Sequence, residues 1–98
     1  MSPRTIRFSP DYRCFPLWEA EPGRVGNIDP ADLPIDEALR DDLTVWSERF
    51  DASLDWNDPG GPGLFSDADW AAFNAEGERL IDRLRAALGP AWPVVRRP

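Results

Sequence analysis

Residues 65–90 read FSDADWAAFNAEGERLIDRLRAALGP, and this stretch decides how the rest of the chain is arranged. Ser66 is an N-cap residue type, and Asp69 stands three positions on, where its carboxylate can reach back to complete a capping box. Phe65 and Trp70 occupy the two hydrophobic-staple positions on either side of that cap. At the far end Gly89 suits the left-handed position that closes a helix, and Pro90 forbids continuation. The spacing therefore predicts a helix from about 66 to 88, with Trp70, Phe73, Leu80, Ile81, Leu84 and Leu88 inward. Gly77 lies on that same apolar stripe. A glycine inside a helix costs roughly 1 kcal/mol against alanine, so it is expected to admit a bulky neighbour, with Trp46 the candidate.

A second helix is predicted upstream, from Asp36 to about Ala52. Leu39, Leu43, Trp46 and Phe50 follow one another at spacings of 4, 3 and 4, a continuous helical stripe. Asp36 is its cap and Glu37 suits the positive end of its dipole. Asp41, Asp42 and Glu48 fall off the stripe and face solvent or a partner. Between the helices, Asn57-Asp58-Pro59-Gly60-Gly61 is turn chemistry.

Toward the ends the period changes from helical to two. In Arg4–Phe8, Ile6 and Phe8 share one face, which predicts a short strand that Ser9-Pro10-Asp11 terminates. Pro93 to Arg96 predicts a second strand, with proline at its start, where a missing donor is tolerated. The segment from Tyr12 to Pro34 holds four prolines and two glycines and cannot form a long helix. Within it, Pro16-Leu17-Trp18 is expected to be extended, Glu21-Pro22-Gly23 to turn, and Val25 to Ile28 to be extended again. Asp29-Pro30-Ala31-Asp32-Leu33 is expected to make one helical turn with Asp29 as cap and Pro30 first. The fold class that follows is α+β: an antiparallel pair of helices packed on a small sheet formed by N- and C-terminal strands, in a single domain spanning residues 1–98.

Charge narrows the function. The chain carries 18 acids against 11 cations, all of them arginine, for a net −7. Fourteen of the acids lie in residues 14–69 against three arginines, while each flank is net positive. An acidic middle argues against nucleic acid and against anionic membrane, which require clustered cations. It favours a basic protein partner drawn in by the field. With no histidine and one cysteine, ordinary zinc ligation and the commonest general base are both missing. The stretch Asp55-Trp56-Asn57-Asp58-Pro59-Gly60 approaches a calcium loop, but Pro59 and Ser66 stand where ligands are needed. Cys14 has no base to activate it. There is no phosphate-binding glycine loop and no nucleophile elbow. The expectation is a non-enzyme without cofactor or metal, and a cytoplasmic address, because the N-terminus has no apolar core of a signal peptide.

The contact residues expected from this reading are six acids within fourteen residues, Asp29, Asp32, Asp36, Glu37, Asp41 and Asp42, with Trp18 and Trp56 as aromatic anchors. An accessory or homo-oligomeric subunit is the alternative, and a carboxylate-dependent enzyme the third reading. Cys14-Phe15-Pro16-Leu17-Trp18 and Gly26-Asn27-Ile28-Asp29-Pro30, followed by the Trp46 helix, resemble a group of small acidic bacterial proteins without an assigned function. Their motifs carry no known chemistry and transfer no site residues. In size and charge the chain is also similar to immunity proteins that neutralise bacterial toxins, which implies an inhibitor that docks on a protein.

Overall fold

In the computed structural model, which describes residues 5–20 and 26–96, the elements run β1 (Ile6–Phe8), β2 (Leu17–Glu19), a 3-10 turn (Pro30–Asp32), α1 (Glu37–Ala52), α2 (Asp67–Leu88) and β3 (Val94–Arg96). The helix boundaries follow from local chemistry. Ser66 accepts from the Asp69 amide at 3.1 Å while Asp69 accepts from the Ser66 amide at 2.9 Å, so the predicted capping box is formed. Its hydrophobic companions Phe65 and Trp70 meet edge-on with ring centroids 5.0 Å apart. Gly89 closes α2 at φ 71°, a conformation that an L side chain rarely adopts. Asp36 caps α1 by accepting from the Leu39 amide at 2.8 Å. Asp29 caps the 3-10 turn by accepting from Ala31 at 2.9 Å, with Pro30 in the first position, as expected.

The sheet has three strands in the order β2-β1-β3, one more than the terminal pair the sequence predicts. Strands β1 and β3 pair in parallel, Ile6 opposite Val94 and Phe8 opposite Arg96, with both helices in the crossover that parallel pairing requires. The third strand comes from the irregular segment: β2 pairs antiparallel with β1, Phe8 opposite Leu17 and Arg7 opposite Trp18. What pins it is Asn27. Its side-chain oxygen accepts from the Phe15 amide at 2.9 Å, and its side-chain nitrogen donates to the Phe15 and Leu17 carbonyls at 2.6 and 2.9 Å. The Ile28 amide then donates to Leu17 at 2.8 Å. The two motifs Cys14–Trp18 and Gly26–Pro30 are thus hydrogen-bonded to one another. The turn expected at Glu21–Gly23, the strand residue Arg4 and the extended Val25 lie outside the described residues.

Alternation puts Ile6, Phe8, Leu17 and Val94 on the helix-covered face, where all four are buried. Against them pack Leu39, Leu43 and Trp46 from α1 and Phe73, Leu80, Ile81, Leu84 and Leu88 from α2. The helices run antiparallel, since Asp42 meets Arg83, Trp46 meets Phe73, and Phe50 meets Trp70. Trp46 is the centre of this packing. It stacks on Phe73 at 4.3 Å and 10°, touches Phe8 at 5.0 Å, and donates its indole N–H to the Phe73 carbonyl at 2.9 Å. Gly77 admits it, as expected: a Cβ there would fall 2.8 Å from Trp46 Cζ2.

Candidate partner-binding face

The predicted contact residues do not fall on one surface, because an acidic run in sequence is distributed around a helix at about 100° per residue. Glu37 and Asp41 stand one above the other on α1 and, with Asp29, Pro30, Ala31, Arg40 and Thr44, line an open cleft of about 280 Å³. Arg40 is the single cation of that group. Its Nε is buried without a hydrogen-bond partner among the described residues. Asp32 is exposed on the adjoining 3-10 turn. Asp36 and Asp29 are exposed yet engaged, each holding a helix cap.

Asp42 turns the other way. It meets Arg83 of α2 at 2.6 Å across the helix pair, so its charge is already neutralised within the molecule. Trp18 lies on the opposite face of the sheet from the helices, by alternation with buried Leu17. It is half-buried, donates its indole N–H to the Ser9 carbonyl at 2.9 Å, and has the Arg7 guanidinium 5.4 Å from its ring centroid. Trp56, by contrast, is 44% exposed. Its indole N–H donates to Asp51 at 2.9 Å, which holds the ring upright at the end of α1.

The face continues beyond the acids picked out in the sequence. Glu37, Asp41, Thr44, Glu48 and Asp51 follow at spacings of 4, 3, 4 and 3, so one stripe runs the length of α1, with Glu37, Asp41 and Glu48 exposed and Thr44 and Asp51 half-buried. Thr44 closes the first cleft and opens a second, of about 290 Å³, lined by Arg13, Cys14, Phe15, Asn27, Ser47, Glu48 and Asp51. Beyond it stand Tyr12 and Arg13. Tyr12, 38% exposed, stacks on Phe50 at 4.6 Å and meets Trp56 edge-on at 5.8 Å. The Arg13 guanidinium lies 4.2 Å over the Trp56 ring, and its amide donates to Asp51 Oδ1 at 2.7 Å. These two residues were not found by sequence reasoning, since the contact that places them spans 38 positions. Glu48 and Asp51 carry a signal that the sequence does hold, the helical 3–4 spacing from Glu37 and Asp41.

The clefts are open and shallow, and no group of three or more histidine, cysteine or carboxylate side chains among the described residues could hold a metal. No helix among them is long and apolar enough to cross a membrane. What the arrangement offers is an acidic row on α1 ending in a cluster of exposed aromatic side chains. A family model described as Serratia CdiI immunity protein-like matches residues 4–97, and the chain belongs to that family. Membership brings an immunity-like character and, with it, the binding of a partner protein. Comparison with curated proteins gave no match.

Proposed function

We propose that the chain is an immunity protein that docks on a basic surface of a bacterial toxin in the cytoplasm and keeps it inactive by occupying that surface, with no reaction of its own. Beside family membership, the observation that carries this reading is the state of Glu37, Asp41 and Glu48. All three are exposed on one side of α1, and none makes an ion pair or side-chain hydrogen bond among the described residues. Like charges at successive helical turns cost a few tenths of a kcal/mol each. Elsewhere in this protein such charges are relieved, as at Glu76–Arg79 and Asp42–Arg83. A row that forms no ion pair among the described residues, with Arg40 and Arg13 the cations nearest it in the clefts, is suited to receive external cations.

In this reading the contact is centred on Asp29, Asp32, Glu37, Asp41 and Trp56, with Asp36 supporting the helix end. Asp42 and Trp18 belong to its periphery, because one is paired with Arg83 and the other lies on the far side of the sheet. The test uses a candidate toxin domain, sought first in the genes that flank this one. Cells producing that domain are expected to grow when this chain is co-expressed. The combined variant Glu37→Gln, Asp41→Asn, Glu48→Gln is expected to associate about tenfold more slowly at low salt, with a flatter salt dependence. Absence of both binding and protection overturns the immunity reading. Association and salt dependence equal to wild type would place the interface elsewhere.

A further inference from the structure

The end of α1 concentrates a second kind of chemistry that charge alone does not describe. Tyr12 and Trp56 are two of the few large apolar side chains left exposed, and they touch one another. Arg13 completes the group by stacking on Trp56. Tyrosine, tryptophan and arginine are the residue types that dominate interface energetics, because each offers a broad, stiff surface at small entropic cost. The platform is held from below: Tyr12 rests on Phe50, which packs against Phe73 of the core, and Asp51 fixes both the Arg13 amide and, through its carbonyl, the Trp56 indole. A partner would therefore meet a surface already in its bound shape.

Beside the platform opens the cleft of about 290 Å³, with Cys14, Phe15 and Ser47 in its wall and Glu48 and Asp51 contributing charge. Glu48 has no partner among the described residues, and Asp51 uses only Oδ1 on the Arg13 amide. Among the described residues, Glu48 and Asp51 face Arg13 in the cleft, and Asp11, Asp55 and Asp58 lie within two residues of Tyr12 or Trp56 in the chain. The sign of that field selects the occupant.

We propose that Tyr12, Arg13 and Trp56 are the energetic centre of the contact and that a lysine or arginine side chain of the partner enters the cleft that Glu48 and Asp51 line. This rests on the immunity reading and names where, within its face, the affinity resides. The aliphatic stem of the incoming residue runs along Phe15 and its head reaches the carboxylates, while the rim of the partner covers Trp56.

Cys14 makes the test possible on the unaltered chain, because it is the single cysteine and lies in that cleft. With the same candidate toxin domain in purified form, the rate of Cys14 alkylation by iodoacetamide is expected to fall by about tenfold or more in the complex, as a seated interface excludes solvent. Trp56→Ala is expected to speed dissociation by about tenfold or more. Glu48→Gln, which breaks no internal contact, is expected to weaken binding several-fold with unchanged thermal stability. If the wild type binds and protects while Cys14 labels at its free rate, and both variants dissociate as wild type, the platform is not the centre and the immunity reading stands. If the wild type neither binds nor protects, both fall together.

Discussion

Replacing Gly77 by alanine sets two effects of known sign against each other, and the structure decides which wins. In an exposed helix interior the change would stabilise by about 1 kcal/mol, since alanine orders more easily than glycine. Here the new Cβ lands 2.8 Å from Cζ2 and 3.4 Å from Cε2 of Trp46. Restoring ordinary contact needs a displacement of about 0.6 Å, the difference between those two separations. The indole is poorly placed to give way. It is 4% exposed, stacked on Phe73, in contact with Phe8, and tied by its N–H to the Phe73 carbonyl.

Over-packing of this kind costs about 1–3 kcal/mol, and stretching a buried hydrogen bond adds about 1 kcal/mol or more. One source of relief exists: Trp46, Phe73 and Gly77 border a cavity of about 190 Å³, into which the ring can be pushed at the expense of its stack. The net expectation is a loss of about 1–3 kcal/mol after the helix gain, or about 5–20 °C in Tm for a domain of this size. Urea titration followed by far-UV circular dichroism measures it, and near-UV dichroism reports the displaced indole. A Gly77→Ala protein as stable as wild type would refute the argument that close approach of Trp46 is what requires glycine. As a check on cause, Trp46→Phe should be less harmful in the Gly77→Ala background than in wild type, with a coupling of about 0.5–3 kcal/mol.

Other outcomes follow from single contacts. Ser66→Ala removes the acceptor for the Asp69 amide and is expected to cost about 1 kcal/mol. The Ser66 amide, then its hydroxyl, and more distantly the charge of Arg49 hold the Asp69 carboxyl below the usual carboxylate range. A depressed folded value means that the capping contribution is full above the ordinary value near 3.8 and is lost as pH falls through the folded one. Melts run from pH 5 downward should show an acid-dependent loss that is absent in Asp69→Asn. Asn27→Ala removes the side-chain partners of the Phe15 amide and carbonyl and one of the two donors to the Leu17 carbonyl, and should destabilise by about 1–3 kcal/mol, with exchange of the β2 amides as the local readout. Asp42→Asn breaks only an exposed pair with Arg83 and should change stability by less than about 1 kcal/mol in the same melts.

These contacts also separate what could be read from the chain and what could not. The two helices, their caps and the 3-10 turn are written locally. Ser66 and Asp69 are three residues apart, Asp36 caps Leu39, and Pro30 follows Asp29, so each signal lies within one turn of the structure it produces. Gly77 was informative because its cost in a helix requires a reason. The segment Pro16-Leu17-Trp18 was legible as extended but not as the third strand of the sheet: three residues after a proline carry little periodicity, and their pairing depends on an asparagine amide ten and twelve positions away. For the binding face, counting acids along the sequence grouped Asp41 with Asp42, although a helix points them to different neighbours. Counting by helical spacing would have joined Glu48 and Asp51 to Glu37 and Asp41. Tyr12 and Arg13 were beyond reach, since only the folded chain brings them to Asp51 and Trp56.

The parallel pairing of β1 with β3 has a consequence for the order of events in the cell. Ile6 waits for Val94, 88 positions later, and at ribosomal speeds of about 5–20 residues per second that interval is roughly 4–18 s. During it the helices and the β1–β2 pair can form from nearby segments, while one side of β1 stays open to other strands. The last strand then does two things at once: it closes that edge, and its Val94 carbonyl accepts from Arg85 at 2.9 Å, fastening it to α2. A nascent chain thus carries its acidic helix early but completes the three-stranded sheet beneath it only when β3 has been made.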